Sequence, residues 1–327
     1  MQKKKLLGCS FPVVVVVLAL LLLAIIVSFV GGPVGTKLMG RSESFLPSWM
    51  QVDKPAPELP AEALFHIGSF PVTNSLVTTW ISILLIIVLA ALATRKMKMV
   101  PGRLQALFEY LVSILLNLCE SIAGPKYGRQ VFPICATIFV LVFVNAWTSL
   151  IPGYGSILAM HGDETLGPLL RGANTDINLP LALAIIAFVT TWFFGFKASG
   201  IRYLSQFVQL KKLGRGIEEI ITGNVKSGLG NIAFGVIDIF VGILEFISNI
   251  IRLVSFTFRL FGNMTAGEVL LLTISFLVPW GLSIVFYGLE MLVGIVQALA
   301  FSMLTLIFTS IAVAGHDEEG HEENASH

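Results

Sequence analysis

Residues 236–277 and 281–313 form two apolar stretches of 42 and 33 residues, broken only around Pro279-Trp280. As straight helices they would measure roughly 63 and 50 Å, against a hydrocarbon core of ~30 Å. A chain carrying such stretches folds in a bilayer, and these two must tilt steeply, break, or project from it. The expectation is a steeply tilted helical hairpin over 236–313. Composition agrees with a membrane fold: 55% of the 327 residues are hydrophobic and 13% charged, where a soluble domain carries about 25% charged. A large soluble core is excluded, and the fold class is an all-α polytopic membrane protein. The surroundings are thus the lipid bilayer, and a net charge of +1 points to no nucleic-acid partner. Cys9, Cys119 and Cys135 lie in or beside apolar segments. They make no disulfide framework and no metal spacing, so they read as packing residues.

The remaining runs follow in order. Residues 11–30 are Val, Leu, Ile and Ala-rich and long enough to span. They read as either a signal peptide or an uncleaved anchor; an h-region runs to roughly 15 residues, so the length favours an anchor over 1–35, with Lys3–Lys5 inside. Residues 36–75, rich in Pro, Gly and Ser, read as an external linker. A membrane domain follows over 76–315. Its first span, 76–93, ends on Arg95, Lys96, Lys98 and Arg103, a basic cluster that marks the inside. Residues 103–123 are apolar but interrupted by Gln105, Glu109, Asn117 and Glu120, and Lys126 and Arg129 follow. With both ends inside, this segment lies along the interface. Residues 132–151 span outward. The next loop holds only Arg171 as a base against Asp163, Glu164 and Asp176, which suits the outside. Residues 179–196 span back to a basic loop that includes an enlarged stretch at 211–230. The acidic tail, 316–327, reads as solvated and cytoplasmic; its histidines and glutamates offer a metal site only as the lesser reading. The loop charges make the whole a multi-pass membrane protein with its C-terminus cytoplasmic.

Between 243 and 313 only five residues are charged: Glu245, Arg252, Arg259, Glu268 and Glu290. Arginine at bilayer depth costs roughly 2.5–3.5 kcal/mol or more. Glu245, Arg252 and Arg259 are spaced seven apart. Seven residues is nearly two turns, so the three share a helix face that drifts ~20° per step. Ser248 and Ser255 lie on it, and Gly262, Asn263 and Ala266 continue it as small or polar residues that let another helix approach. The stripe is either a structural ladder of ion pairs, to which Glu245 and Arg252 are suited, or a functional path. Glu268 lies nine residues past Arg259, half a turn round at ~100° per residue. Glu290 and Gln297 share a face on the next helix, with Gly294 between them. A hairpin about Pro279 would bring that face beside Glu268. Two adjacent carboxylates repel, an arrangement suited to taking up and releasing protons. Arginine keeps its proton at any accessible pH, so it suits a barrier between proton routes.

At these residues the chain resembles subunit a of the F-type ATP synthase. The similarity is close in RLFGNM-x-AGE, Arg259 to Glu268. It extends to Glu245 and Ser248, to Gln297, to Asn145 with Leu150-Ile151-Pro152, and to Asp176-x-Asn178, covering roughly 76–313. The resemblance implies that Arg259 is the essential arginine facing the carboxylate of a rotating c-ring. It implies an outside half-channel of Asn263, Glu268, Glu290 and Gln297, a cytoplasmic one of Glu245, Ser248 and Ser255, and supporting polar roles for Arg252, Asn145, Asp176 and Asn178. It implies the c-ring, the subunit b peripheral stalk and the remainder of the F0F1 complex as partners, with no cofactor, no metal and no catalysis by the chain alone. Four features depart from the family. Glu290 stands where many members carry histidine, Thr148 stands where aspartate is frequent, and the 11–30 span is additional, as is the 211–230 enlargement. The alternative is a secondary ion transporter or channel, which should show paired repeats with broken helices; no repeat is visible. An intramembrane enzyme would need motifs such as H-E-x-x-H or G-x-S-x-G, and the spans contain none.

Overall fold

The computed structural model describes residues 5–6, 9–40, 47, 54, 60–95, 97–151, 153–154, 158–161, 164–200, 203–204, 225–279 and 281–314. Most of the 211–230 loop and the 316–327 tail lie outside the described residues. Six helices among the described residues are long and apolar enough to cross a membrane, as expected for a polytopic fold in which every backbone group is satisfied within its own helix. In chain order the elements are β1 (Lys5–Leu6), β2 (Cys9–Ser10), α1 (Phe11–Gly31), α2 (Pro33–Leu38), β3 (Ala63–Ile67), β4 (Phe70–Thr73), α3 (Asn74–Thr94), α4 (Arg103–Ser149), β5 (Leu158–His161), β6 (Glu164–Pro168), α5 (Asn178–Ser199), α6 (Val225–Leu277) and α7 (Leu282–Ala314). Helix α6 begins eleven residues before the apolar run that announces it, taking in Lys226. No proline interrupts 225–235, so the helix continues beyond the apolar residues.

Contacts group the chain into two units, each assembled from separated segments. The first contains 1–80, 145–176 and 262–296. Here the supposed linker carries ordered structure. The β3–β4 hairpin closes on Gly68-Ser69, with Ile67 paired to Phe70. Gly68 takes φ 64°, the left-handed conformation that a two-residue hairpin turn requires. Strand β4 runs directly into α3, where the Thr73 hydroxyl accepts the Leu76 N–H at 3.3 Å as an N-terminal cap. The first residues of α3 clasp the loop after α4 at two points. Asn74 Nδ2 donates to the Pro168 carbonyl at 3.1 Å, and Ser75 Oγ donates to Asp176 Oδ2 at 2.5 Å. Helix α1 packs at the α6–α7 turn: a Cβ on Gly32 would stand 2.7 Å from the Leu277 carbonyl oxygen. Gly281, at φ 88°, faces Ile25.

The second unit contains 81–144, 177–261 and 297–327. Within α4, Gly124 adopts φ 74° and ψ 165° and Pro125 follows, so the helix breaks there. Proline disfavours a helical residue before it, and glycine alone accepts the positive φ cheaply. The break separates a limb over 103–123 from the limb that continues to Ser149. The second limb folds back closely, since a Cβ on Gly128 would stand 2.6 Å from the Cys119 carbonyl oxygen. Cys119, Val131, Cys135, Phe194, Leu306 and Val313 form the buried cluster that follows, which bears out packing as the role of two of the cysteines. Buried hydroxyls return to their own helices: Thr305 donates to the Phe301 carbonyl and Thr309 to that of Thr305. Such local bonds satisfy these two hydroxyls within their own helix. Tyr203 lies against Gly195, where a Cβ would come within 2.6 Å of its ring. Burial pushes its phenol above the usual tyrosine range, with Glu245 adding to the rise and Arg252 opposing it.

Candidate functional site

In the first unit a cavity of about 320 Å³ is lined by Glu268 of α6 and Glu290 of α7, with Arg171, Asn174, Tyr154 and Tyr287 around them. The two carboxylates that helical spacing brings to one place do line one cavity. Glu290 is 7% exposed, and its carboxyl lies against Gly267 so tightly that any Cβ there would overlap it. That accounts physically for a glycine immediately before Glu268. On the same helix Gly294 meets Ala146, where a Cβ would stand 3.0 Å from the alanine methyl, and Trp147 Nε1 donates to the Met291 carbonyl at 3.3 Å. Small residues permit this close approach of α4 and α7. Arg171, read from sequence only as a sign of sidedness, is 9% exposed. Its Nε lies 3.7 Å from Glu268 Oε2, and its Nη1 donates to the Pro60 carbonyl at 2.9 Å. Asn145 is buried with both amide atoms unpartnered, a cost of roughly 1–3 kcal/mol. Asp176 receives the Ser75 hydroxyl, and Asn178 opens α5. Asn263 is exposed on α6 and does not line the cavity; Gln297 is buried in the second unit.

Along α6 the polar stripe takes shape with differing environments. Glu245, Ser255, Gly262, Asn263 and Ala266 are exposed, while Ser248, Arg252 and Arg259 are half-buried. Among the described residues nothing stands within 4 Å of a Cβ built on Gly262. Arg252 is held on both sides: Nη1 donates to Asn249 Oδ1 at 3.1 Å, and its guanidinium lies 4.5 Å from the Phe308 ring centre. The Arg259 guanidinium lies 5.9 Å from the ring of Phe256, which is itself buried against Phe301. No carboxylate among the described residues comes within ion-pair distance of Arg259.

Comparison with known proteins gives the family. Residues 76–310 match the family model described as ATP synthase A chain. The chain is also 32% identical over 250 residues to ATP synthase subunit a of Gloeobacter violaceus, covering 75% of this chain and 85% of the relative. The chain belongs to the ATP synthase A chain family. Membership makes it a non-catalytic, proton-translocating membrane subunit of the F0 sector, associated with the rest of the ATP synthase. The family match begins at residue 76, so α1 and the β3–β4 hairpin lie ahead of it. Sequence reasoning missed Arg171, Tyr154, Tyr287 and Asn174 as neighbours of the carboxylates. The available signal was a lone arginine in an acidic loop, five residues before Asp176. Tyr154 is half-buried beyond the end of α4, and burial pushes its phenol above the usual range.

Proposed function

We propose that this chain is the stator half of the membrane proton motor, supplying two offset half-channels to a c-ring with Arg259 between them. The observation that carries the reading is Arg259 itself. It is a half-buried cation with no carboxylate in reach among the described residues, on a helix whose Ser255, Gly262 and Ala266 are exposed. A cation at bilayer depth needs a counter-charge, and a carboxylate on each passing c-subunit supplies one. Glu268 and Glu290, with Asn263 and Gln297, form the route open to the outside. Glu245, Ser248 and Ser255 form the route open to the cytoplasm, with Arg252, Asn145, Asp176 and Asn178 supporting the walls. A proton enters by the outside route, neutralises a c-subunit carboxylate, rides the ring, and leaves by the cytoplasmic route. Arg259 blocks a direct passage because its charge is permanent, and it attracts each arriving carboxylate as its proton departs. Proton flow thereby drives rotation and ATP synthesis.

The same reading makes the subunit b stalk the element that holds the chain against the turning ring. It puts α1 in the membrane as a retained anchor, the 103–123 limb along the inner interface, and the 316–327 tail in the cytoplasm of a bacterial-type cell. The test is ATP-driven proton uptake into inverted membrane vesicles carrying Arg259→Ala. Uptake is expected to vanish while the complex still assembles. Uptake at the wild-type rate would refute the assignment.

A further inference from the structure

We propose that Arg171 is a positioning residue for the proton inlet, holding the Glu268 carboxylate in the cavity beside Glu290. The inference rests on the reading of that cavity as the outside route, and adds a residue and a tether to it. The loop that carries Arg171 is fixed at both ends by the start of α3, through Asn74 to Pro168 and Ser75 to Asp176. Between those clasps Gly172 lies close to Ser149, and Ala173, Asn174 and Thr175 are buried in a short 3-10 turn. The guanidinium is therefore delivered on a rigid support. Its two edges do different work. Nη1 donates to the Pro60 carbonyl at 2.9 Å, which orients the plane; Nε faces Glu268 Oε2 at 3.7 Å. A planar guanidinium can serve two partners at fixed angles, which an ammonium cannot.

The distance to Glu268 has a chemical meaning. Glu268 Oε2 is buried and makes no hydrogen bond, and 3.7 Å exceeds hydrogen-bonding range for N–H···O. Attraction keeps the carboxylate in the cavity, yet no hydrogen bond to Arg171 must break before a proton reaches that oxygen. Glu290, in contact with Gly267 in the same cavity, is the next carboxylate along. The Pro60 carbonyl comes from the segment ahead of the family match, so the N-terminal linker takes part in the inlet through its backbone.

The experiment uses the whole ATP synthase in inverted vesicles, with ATP-driven proton uptake expressed per assembled complex. Arg171→Gln is expected to lower the rate about tenfold, since a misplacement of ~1 Å can cost on the order of 100-fold. Arg171→Lys keeps the charge that attracts Glu268 but loses the fixed two-partner geometry, and is expected to recover part of the rate. Wild-type uptake in Arg171→Gln would overturn the proposal. So would equal losses in the Gln and Lys variants, or failure of Arg171→Gln to assemble, either of which makes Arg171 a prop for the loop alone. Glu268→Gln is run beside them. If it pumps at the wild-type rate, the inlet reading fails whatever Arg171 does.

Discussion

Gly267 is the residue on which the geometry of the carboxylate cavity turns most directly. Its missing side chain is the space that the Glu290 carboxyl occupies. The group that an added methyl would strike is the end of a flexible side chain, so Gly267→Ala should leave the fold standing and displace the carboxyl instead. Proton pumping is expected to fall by about tenfold or more, with wild-type amounts of the chain in purified complex. Normal pumping in that variant would show that the position of Glu290 does not matter. Gly195 offers the contrasting case. A methyl there meets the ring of Tyr203, which is 4% exposed and hemmed by Trp192 and Phe196. Gly195→Ala should cost about 1–3 kcal/mol by overpacking, seen as a lower melting temperature of the complex with little change in pumping per surviving complex. Arg259 and Glu268 were readable at this scale because a charge in an apolar run stands out against its surroundings. Arg171 was not, because in a polar loop a buried cation and a solvated one look alike.

Length governs the elements. Helix α6 has 53 residues and α7 has 33, roughly 80 and 50 Å at 1.5 Å per residue. If the apolar 229–277 portion of α6 is to lie within a hydrocarbon core of ~30 Å, its tilt from the bilayer normal is on the order of 65°, against an average of ~20° for membrane helices. Solid-state NMR of aligned bilayers, or an electron-microscopy map of the complex in lipid, measures that angle; a tilt under ~40° would defeat the steep hairpin. The break in α4 was half legible. Charges on both sides of 103–123 set that segment apart from the run that follows, and Gly124-Pro125 is the stop signal between the two limbs. The β3–β4 hairpin was not read at all. Its few residues give too short a period for alternation to speak, and the two-residue turn at Gly68-Ser69 was the only clue.

The stripe on α6 is a property of the whole assembly. Among the described residues nothing stands within 4 Å of a Cβ on Gly262, and a partner subunit packed on that face is what the proposed function requires. Solubilised in mild detergent, the chain is expected to copurify with a c-ring, and the isolated chain reconstituted into vesicles is expected to carry no ATP-driven proton current. Purification free of any c-subunit, with activity retained, would return the alternative of a self-contained transporter. A tag on the C-terminus should be protected in right-side-out cells and accessible in inverted vesicles; the reverse would overturn the assigned sidedness.

What the sequence determined by itself rests on spacing and transfer energy. Apolar runs of sufficient length must cross a bilayer as helices, and five charges within 71 residues must be there for a purpose. Those two facts led to the membrane fold, to the stripe containing Arg259, and to the offset of Glu268 around the helix. Only the tertiary structure decided which groups meet. Gly267 opens the space for the Glu290 carboxyl, and residues about a hundred positions apart clasp Asp176 and Pro168 to the start of α3. Arg171 comes to Glu268 from almost as far along the chain. Helical periodicity fixes neighbours within one element. Contacts between elements follow from loop paths and packing, which leave no regular spacing in the chain to be read.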